Sequence, residues 1–207
     1  MLFGLFLLAL ISGEEDFIST AVENYKSVES YMVTLVSKGG GKEEVIRYFY
    51  RKPGFVRMEF VKPHKGAVLV YDPVEKAAVL RPFGFLKPFV LRLGPRNRLI
   101  RSSRGHTVDR SDIGALLENV ERIKKNGKIE VFGAETTGGR EAVKVGVVAR
   151  GGFTSDGVNS YMLWLEKRSA MPLRVIAFDA EGGIYEEVLM EDLELNPSFP
   201  DGFFEDR

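Results

Sequence analysis

The chain predicts an α+β fold that is mainly antiparallel β, built as one large, strongly curved sheet. Three observations carry this reading. About ten short segments show period-two alternation or strand composition. Gly- and Pro-containing turn signals separate most of them. Only two stretches show sustained helical spacing.

The first helix is expected within Glu14 to Ser30, where Phe17, Ala21, Tyr25 and Val28 recur at helical spacing. Tyr31–Ser37 and Glu44–Arg51 then flank Gly39-Gly40-Gly41, a hairpin signature. Phe55–Val61 and Ala67–Tyr71 follow on either side of Pro63, and Lys76–Arg81 comes after Asp72-Pro73. The second helix is expected over Asp109 to Lys125, with Ser111 as a candidate cap and Gly127 as its terminator. Its apolar stripe is Ile113, Leu116, Leu117, Val120 and Ile123. Lys128–Phe132 and Ala142–Ala149 form a further pair, joined through Thr137-Gly138-Gly139. The last quarter reads as a meander: Tyr161–Lys167 stops at Met171-Pro172, Leu173–Asp179 at Glu181-Gly182-Gly183, and Ile184–Leu195 at Asn196-Pro197.

Residues 1–13, MLFGLFLLALISG, end abruptly at Glu14-Glu15-Asp16. The run is too short for a membrane span, which needs ~20 apolar residues. It fits the apolar core of a secretory signal, with Ser12 and Gly13 near a cleavage point, although no Lys or Arg precedes it. Residues 14–207 then form one domain, expected to be periplasmic and monomeric. A formal net charge of zero gives no whole-molecule attraction to nucleic acid. The absence of cysteine excludes a disulfide scaffold, a thiolate metal site and a cysteine nucleophile.

Enzyme signatures are missing. His64 and His106 stand far apart and beside no motif. No G-x-S-x-G elbow occurs. Gly39-Gly40-Gly41-Lys42 has the wrong spacing for a phosphate loop, and Glu43 stands where Ser or Thr should bind magnesium. The acids Asp179, Glu186 and Glu187 lie in turns or on alternating strands, where solvation is the default. No catalytic residue, cofactor or metal is therefore expected.

Two amphipathic helices can cover one face of a curved sheet, either packed tightly on it or leaving an apolar gap. Strand alternation puts Val56, Met58 and Phe60 on one face, and Met162 with Trp164 on another, opposite Tyr161, Leu163 and Leu165. With Leu116, Leu117 and Val120 of the second helix, these eight are the candidate cavity lining; ordinary core packing explains each equally well.

Several segments, in this order, resemble the LolA-like family of extracytoplasmic carriers of lipoproteins and other lipidic ligands. They are Tyr31-Met32-Val33-Thr34-Leu35-Val36, the run from Arg51 to Phe60, Val70-Tyr71-Asp72-Pro73, the helix start from Ser111 to Leu117, Trp164 to Lys167 with Pro172 to Arg174, and the close from Leu195 to Phe204. The resemblance implies an incomplete, half-open β-barrel with a helical lid over a hydrophobic cavity. It implies a lipid or acylated lipoprotein as ligand, with an inner-membrane donor and an outer-membrane acceptor as candidate partners. Relatives of this fold also bind other lipids or sense envelope stress, so a regulatory domain is the alternative reading. In the family's carriers an arginine directly before the strand-two proline helps hold the lid; here Lys52 precedes Pro53, and Arg51 lies one place earlier. Sheltering a ~16-carbon chain would gain roughly 12 kcal/mol gross at about 0.8 kcal/mol per methylene. A reversible carrier therefore needs a mobile lid or an imperfectly filled cavity.

The mid-chain segment Pro82 to Pro95 places Phe83, Phe85, Phe89 and Leu91 among prolines and glycines. Arg81, Lys87, Arg92, Arg96, Arg98, Arg101 and Arg104 surround them, with no acid before Asp109. Such a segment suits an anionic membrane surface or guards a cavity mouth. A hairpin with inward aromatics and solvated arginines fits the same pattern.

Overall fold

A computed structural model describes residues 16–39, 42–83, 89–102 and 105–205. The expected secretory segment, residues 1–13, lies outside them.

Asp16 caps helix α1 (Phe17–Tyr25) by accepting a 3.1 Å hydrogen bond from the Ser19 backbone N–H. The helix stops well short of Ser30, because Ser27 turns back onto the Asn24 carbonyl and Val28 drops into the core. Five strands follow: β1 (Ser30–Gly39), β2 (Lys42–Arg51), β3 (Phe55–Lys62), β4 (Val68–Asp72) and β5 (Ala77–Arg81). A short β6 (Leu91–Leu93) extends this half beyond the strands predicted from the sequence. Single turns of 3-10 helix at Arg98–Ile100 and Val108–Arg110 precede helix α2 (Ile113–Lys125). The second half is β7 (Gly127–Thr137), β8 (Arg140–Ala149), β9 (Ser160–Glu166), β10 (Pro172–Phe178) and β11 (Ile184–Leu195).

The strands form one open antiparallel sheet in the order β6-β5-β4-β3-β2-β1-β11-β10-β9-β8-β7. The first half walks outward from the centre to the β6 edge, and the second walks inward from the β7 edge. Pairing of β1 with β11 joins the halves, with Tyr31 opposite Leu195 and Leu35 opposite Met190. The chain must therefore cross from one sheet edge to the other between β6 and β7. Residues 98–102 and 105–112, with α2, lie along that crossing. This topology is why a helix covers the sheet, and the arrangement fits a curved, half-open barrel with a helical lid.

The core lies between the helices and the sheet's inner face. Ile18 and Ala21 of α1, and Leu117, Val120 and Ile123 of α2, are almost fully buried with Val145, Val147, Leu163 and Leu165. Each large aliphatic side chain so buried contributes roughly 1.5–3 kcal/mol. On the outer face the chain end folds back: Phe199, Phe203 and Phe204 pack together, and Phe203 meets Phe49 edge-on at 5.1 Å. Asn196, at φ 57°, accepts at Oδ1 from the Glu29 (2.7 Å) and Ser30 (3.3 Å) amides and ties the end of β11 to the start of β1.

Two expected terminators act differently. Asp112, not Ser111, is the N-cap of α2: its Oδ1 accepts from the Ala115 amide at 3.2 Å, while the Ser111 hydroxyl donates to the Val108 carbonyl. Gly127 opens β7 instead of closing α2. A Cβ there would fall 2.0 Å from the Val148 carbonyl oxygen, so close backbone approach is what demands glycine. β7 also runs past the expected Phe132 to Thr137, because the register shift between Val131 and Gly133 lets the pairing with β8 continue.

Candidate functional site: a hollow beneath the lid

Between the inner face and the crossing segment lies a hollow of about 1200 Å³. That is slightly above the ~300–1,000 Å³ usual for small-molecule sites. Its wall changes character from one end to the other.

At one end, a set of tyrosines fastens the start of α2. Tyr31 stacks on Tyr50 at 5.0 Å and on Tyr48 at 5.8 Å, because the β1–β2 register sets Tyr31 opposite Tyr50 and Val33 opposite Tyr48. The Tyr31 hydroxyl accepts from the Ile113 N–H at 3.0 Å, satisfying one of the free amides of the helix start. The Tyr48 hydroxyl lies 3.1 Å from the Ser111 hydroxyl, and Tyr25 of α1 donates to Asp112 Oδ1 at 3.2 Å. Burial pushes the phenols of Tyr25, Tyr31 and Tyr48 well above the usual tyrosine range, so all three stay neutral.

The middle of the wall is apolar. Val33, Leu35, Ile46, Met58, Phe60 and Leu69 come from the first half-sheet, Val175, Val188 and Met190 from the second, and Leu116 from the helix. The far end is polar. Glu44, His64, His106 and Glu186 line it, with His106 Nε2 3.3 Å from Glu186 Oε2. Glu44 is half-buried, and its carboxylate makes no hydrogen bond or ion pair among the described residues. Burial raises its carboxyl above the ordinary value of 4.5, with His64 opposing and Glu186 adding to the shift. On the α2 side, Asn119 donates to the Tyr161 hydroxyl at 2.7 Å and to the Ser155 carbonyl at 3.3 Å. Among the described residues, no group of three or more His, Cys, Asp or Glu is placed to hold a metal ion.

Of the residues singled out in the sequence, Met58, Phe60 and Leu116 stand on the hollow's wall. Val56, Leu117 and Val120 are packed in the core beside it, at 2%, 2% and 0% exposure. Met162 and Trp164 face the other way. β9 pairs without a register shift with β8, so the strand that sends Tyr161 inward sends both of them outward. Trp164 Nε1 there donates to Glu135 at 2.7 Å, and the ring lies between Arg174 (4.5 Å) and Lys144 (5.1 Å). Its burial reflects this outer-face cluster. Arg51 and Lys52 do not reach the hollow: Arg51 lies over the Phe55 and Phe204 rings, and Lys52 bonds the Lys26 carbonyl and Glu29. Fastening the lid falls instead to the tyrosines, whose signal in the sequence was the alternation of Tyr48 and Tyr50 opposite Tyr31. Phe83 lies at the rim, its ring tilted against that of His64 at 5.0 Å; Phe89 and Arg96 are exposed, and Arg92 pairs with Glu75; Phe85 lies outside the described residues.

An open antiparallel sheet with a pinned helical lid over a hollow is the LolA-like fold. Within it, the chain belongs to the MucB/RseB N-terminal domain family, whose profile matches residues 91–206, more than half of its length. Solved structures share the fold at low identity. LppX, a lipoprotein of Mycobacterium tuberculosis, is 11% identical with a TM-score of 0.56, over 89% of this chain and 96% of that one. An uncharacterised conserved protein of Thermus thermophilus is 13% identical with a TM-score of 0.55, over 92% of this chain and 91% of that one. MucB in the MucA/MucB complex of Pseudomonas aeruginosa is 16% identical with a TM-score of 0.53, over 93% of this chain. The chain spans 60% of that MucB chain. No curated protein sequence matches it. Among the described residues, no helix is long and apolar enough to cross a membrane.

Proposed function

We propose that this chain is an extracytoplasmic, non-catalytic binding domain whose hollow takes the acyl portion of a lipid or lipoprotein. The observation that carries the reading is the hollow itself: about 1200 Å³, with an apolar middle between two polar ends. Its graded wall suits an amphipathic ligand, with chains against Leu35, Met58 and Leu116 and a polar portion toward Glu44 and Glu186.

Family membership favours a sensing role over a shuttling one. MucB, a relative of the same fold, is found in complex with MucA. In this reading, filling the hollow alters how the domain engages a protein partner, and no outer-membrane acceptor is needed. The carrier reading shares the hollow and differs in what happens after binding.

The test is mass spectrometry of organic extracts from protein secreted by its native host and purified without detergent, together with uptake of a fluorescent fatty acid. A stoichiometric lipid or lipopeptide is expected. Leu116→Arg or Met58→Arg should reduce uptake at least tenfold, while Trp164→Leu, on the outer face, should leave it unchanged. An empty protein that takes up no fatty acid would remove the ligand-binding reading.

A further inference from the structure

The rim of the hollow carries an apolar and basic patch that ligand binding does not require. Five of the exposed large hydrophobic residues fall between positions 83 and 99: Phe83 (44%), Phe89 (60%), Val90 (50%), Leu91 (37%) and Leu99 (69%). Singly exposed apolar side chains are ordinary, but such a concentration marks an interaction surface. Phe83 and Leu99 are both exposed and part of the hollow's wall, so they stand at its mouth. The chain keeps the rest of the patch close by. β6 pairs with β5, setting Leu91 opposite Leu80 of the wall. A turn closed by the Asn97 amide on the Gly94 carbonyl (3.0 Å) then leads straight into Arg98–Ile100.

Charge decides what fits there. Residues 76–108 contain eight Lys or Arg and no Asp or Glu, although the whole chain is neutral. Arg92 is offset by Glu75 at 3.1 Å. Exposed Arg96, Arg98 and Arg101 enter no ion pair among the described residues. A surface that is both apolar and positively charged matches the interface of an anionic bilayer, where side chains such as Phe89 enter the acyl boundary and arginines meet phosphates.

We propose that this rim docks on an anionic phospholipid surface, so that the hollow opens toward the bilayer. An acyl chain would then pass between membrane and hollow without crossing water. The inference goes beyond the ligand-binding reading and does not depend on what the hollow holds.

The test is flotation of the full chain with vesicles of phosphatidylcholine, with and without phosphatidylglycerol, at low and high salt. Partition into the phosphatidylglycerol vesicles is expected, falling with salt. Arg96→Gln with Arg98→Gln should weaken it about 25-fold, from about fivefold per basic residue at ~1 kcal/mol each. Phe89→Ser with Val90→Ser should weaken it about tenfold or more. All four positions are exposed and off the hollow's wall, so the thermal midpoint and fatty-acid uptake should not move; this separates failure of docking from failure of ligand binding. Equal partition into neutral and anionic vesicles, no partition at all, or binding lost with Leu116→Arg but kept with Arg96→Gln and Arg98→Gln would each overturn the proposal.

Discussion

The Tyr31 hydroxyl on β1 accepts a 3.0 Å hydrogen bond from the backbone N–H of Ile113, the first residue of α2. Tyr31 is 1% exposed and Ile113 3%, so the amide has no water to turn to if the phenol is removed. Tyr31→Phe keeps the stacking on Tyr48 and Tyr50 and leaves a buried donor unsatisfied. A loss of about 1–3 kcal/mol is expected in urea denaturation. Hydrogen exchange should speed up selectively in the first turn of α2, whereas a purely packing role for Tyr31 would leave those amides as slow as in the parent.

Gly114, in the same turn, should reverse the usual rule for helical glycines. Gly→Ala inside a helix normally stabilises by about 1 kcal/mol. A Cβ at Gly114 would lie 2.6 Å from Tyr25 Cε1 and 2.7 Å from Asp112 Oδ1. Gly114→Ala must displace the Tyr25 ring or the cap, and a net loss of stability is expected in thermal melts. If the ring side chain simply turned aside, the variant would gain stability instead.

Glu44 should make stability fall as pH rises. Its carboxyl is raised above its ordinary 4.5, chiefly by burial. The stability it contributes is full below that ordinary value and is lost as pH rises through the higher folded value. Glu44→Gln removes this dependence. Denaturation between pH 4 and pH 8 should show the variant gaining on the parent with rising pH, and a constant difference would exclude the effect.

Asp16 works in the opposite direction. Burial alone would raise its pKa, but Lys124, at 2.5 Å, and the Ser19 amide and hydroxyl together lower it below 3.8. The stability it contributes is present above that ordinary value and is lost as pH falls through the lower folded value. Because this pair joins the capping residue of α1 to the last turn of α2, acid should loosen the helices from each other. Asp16→Asn should flatten the acid limb of the stability curve; an unchanged limb would assign it to other carboxylates.

The sheet was readable because its signals are local. Alternation and Gly or Pro punctuation are written within each strand, so the pairing of β1 with β2 and the C-terminal meander follow from neighbours in the chain. β6, within the segment where a hairpin is one of two readings, is too short at three residues to display a period. The N-cap of α2 differs from the expected one for a related reason: Ser111 and Asp112 are both good caps by composition, and only the direction of the chain leaving Val108 chooses between them.

The hollow was legible only in part. Parity alone paired Met58 with Phe60 and Met162 with Trp164, but parity says that two residues share a face and not which face is inside. Met58 and Phe60 line the wall, whereas Met162 and Trp164 lie outside, where Trp164 rests between Lys144 and Arg174. By itself the sequence determined the strands, the two helices and the basic, aromatic character of residues 81–104. The tertiary structure decided that β1 and β11 meet at the centre, that α2 must therefore cross from edge to edge, and that Tyr25, Tyr31 and Tyr48, scattered along the chain, converge to hold it. The physical reason is range: alternation, capping and charge act between residues a few positions apart, while a hollow exists only where strands distant in sequence close around a shared space.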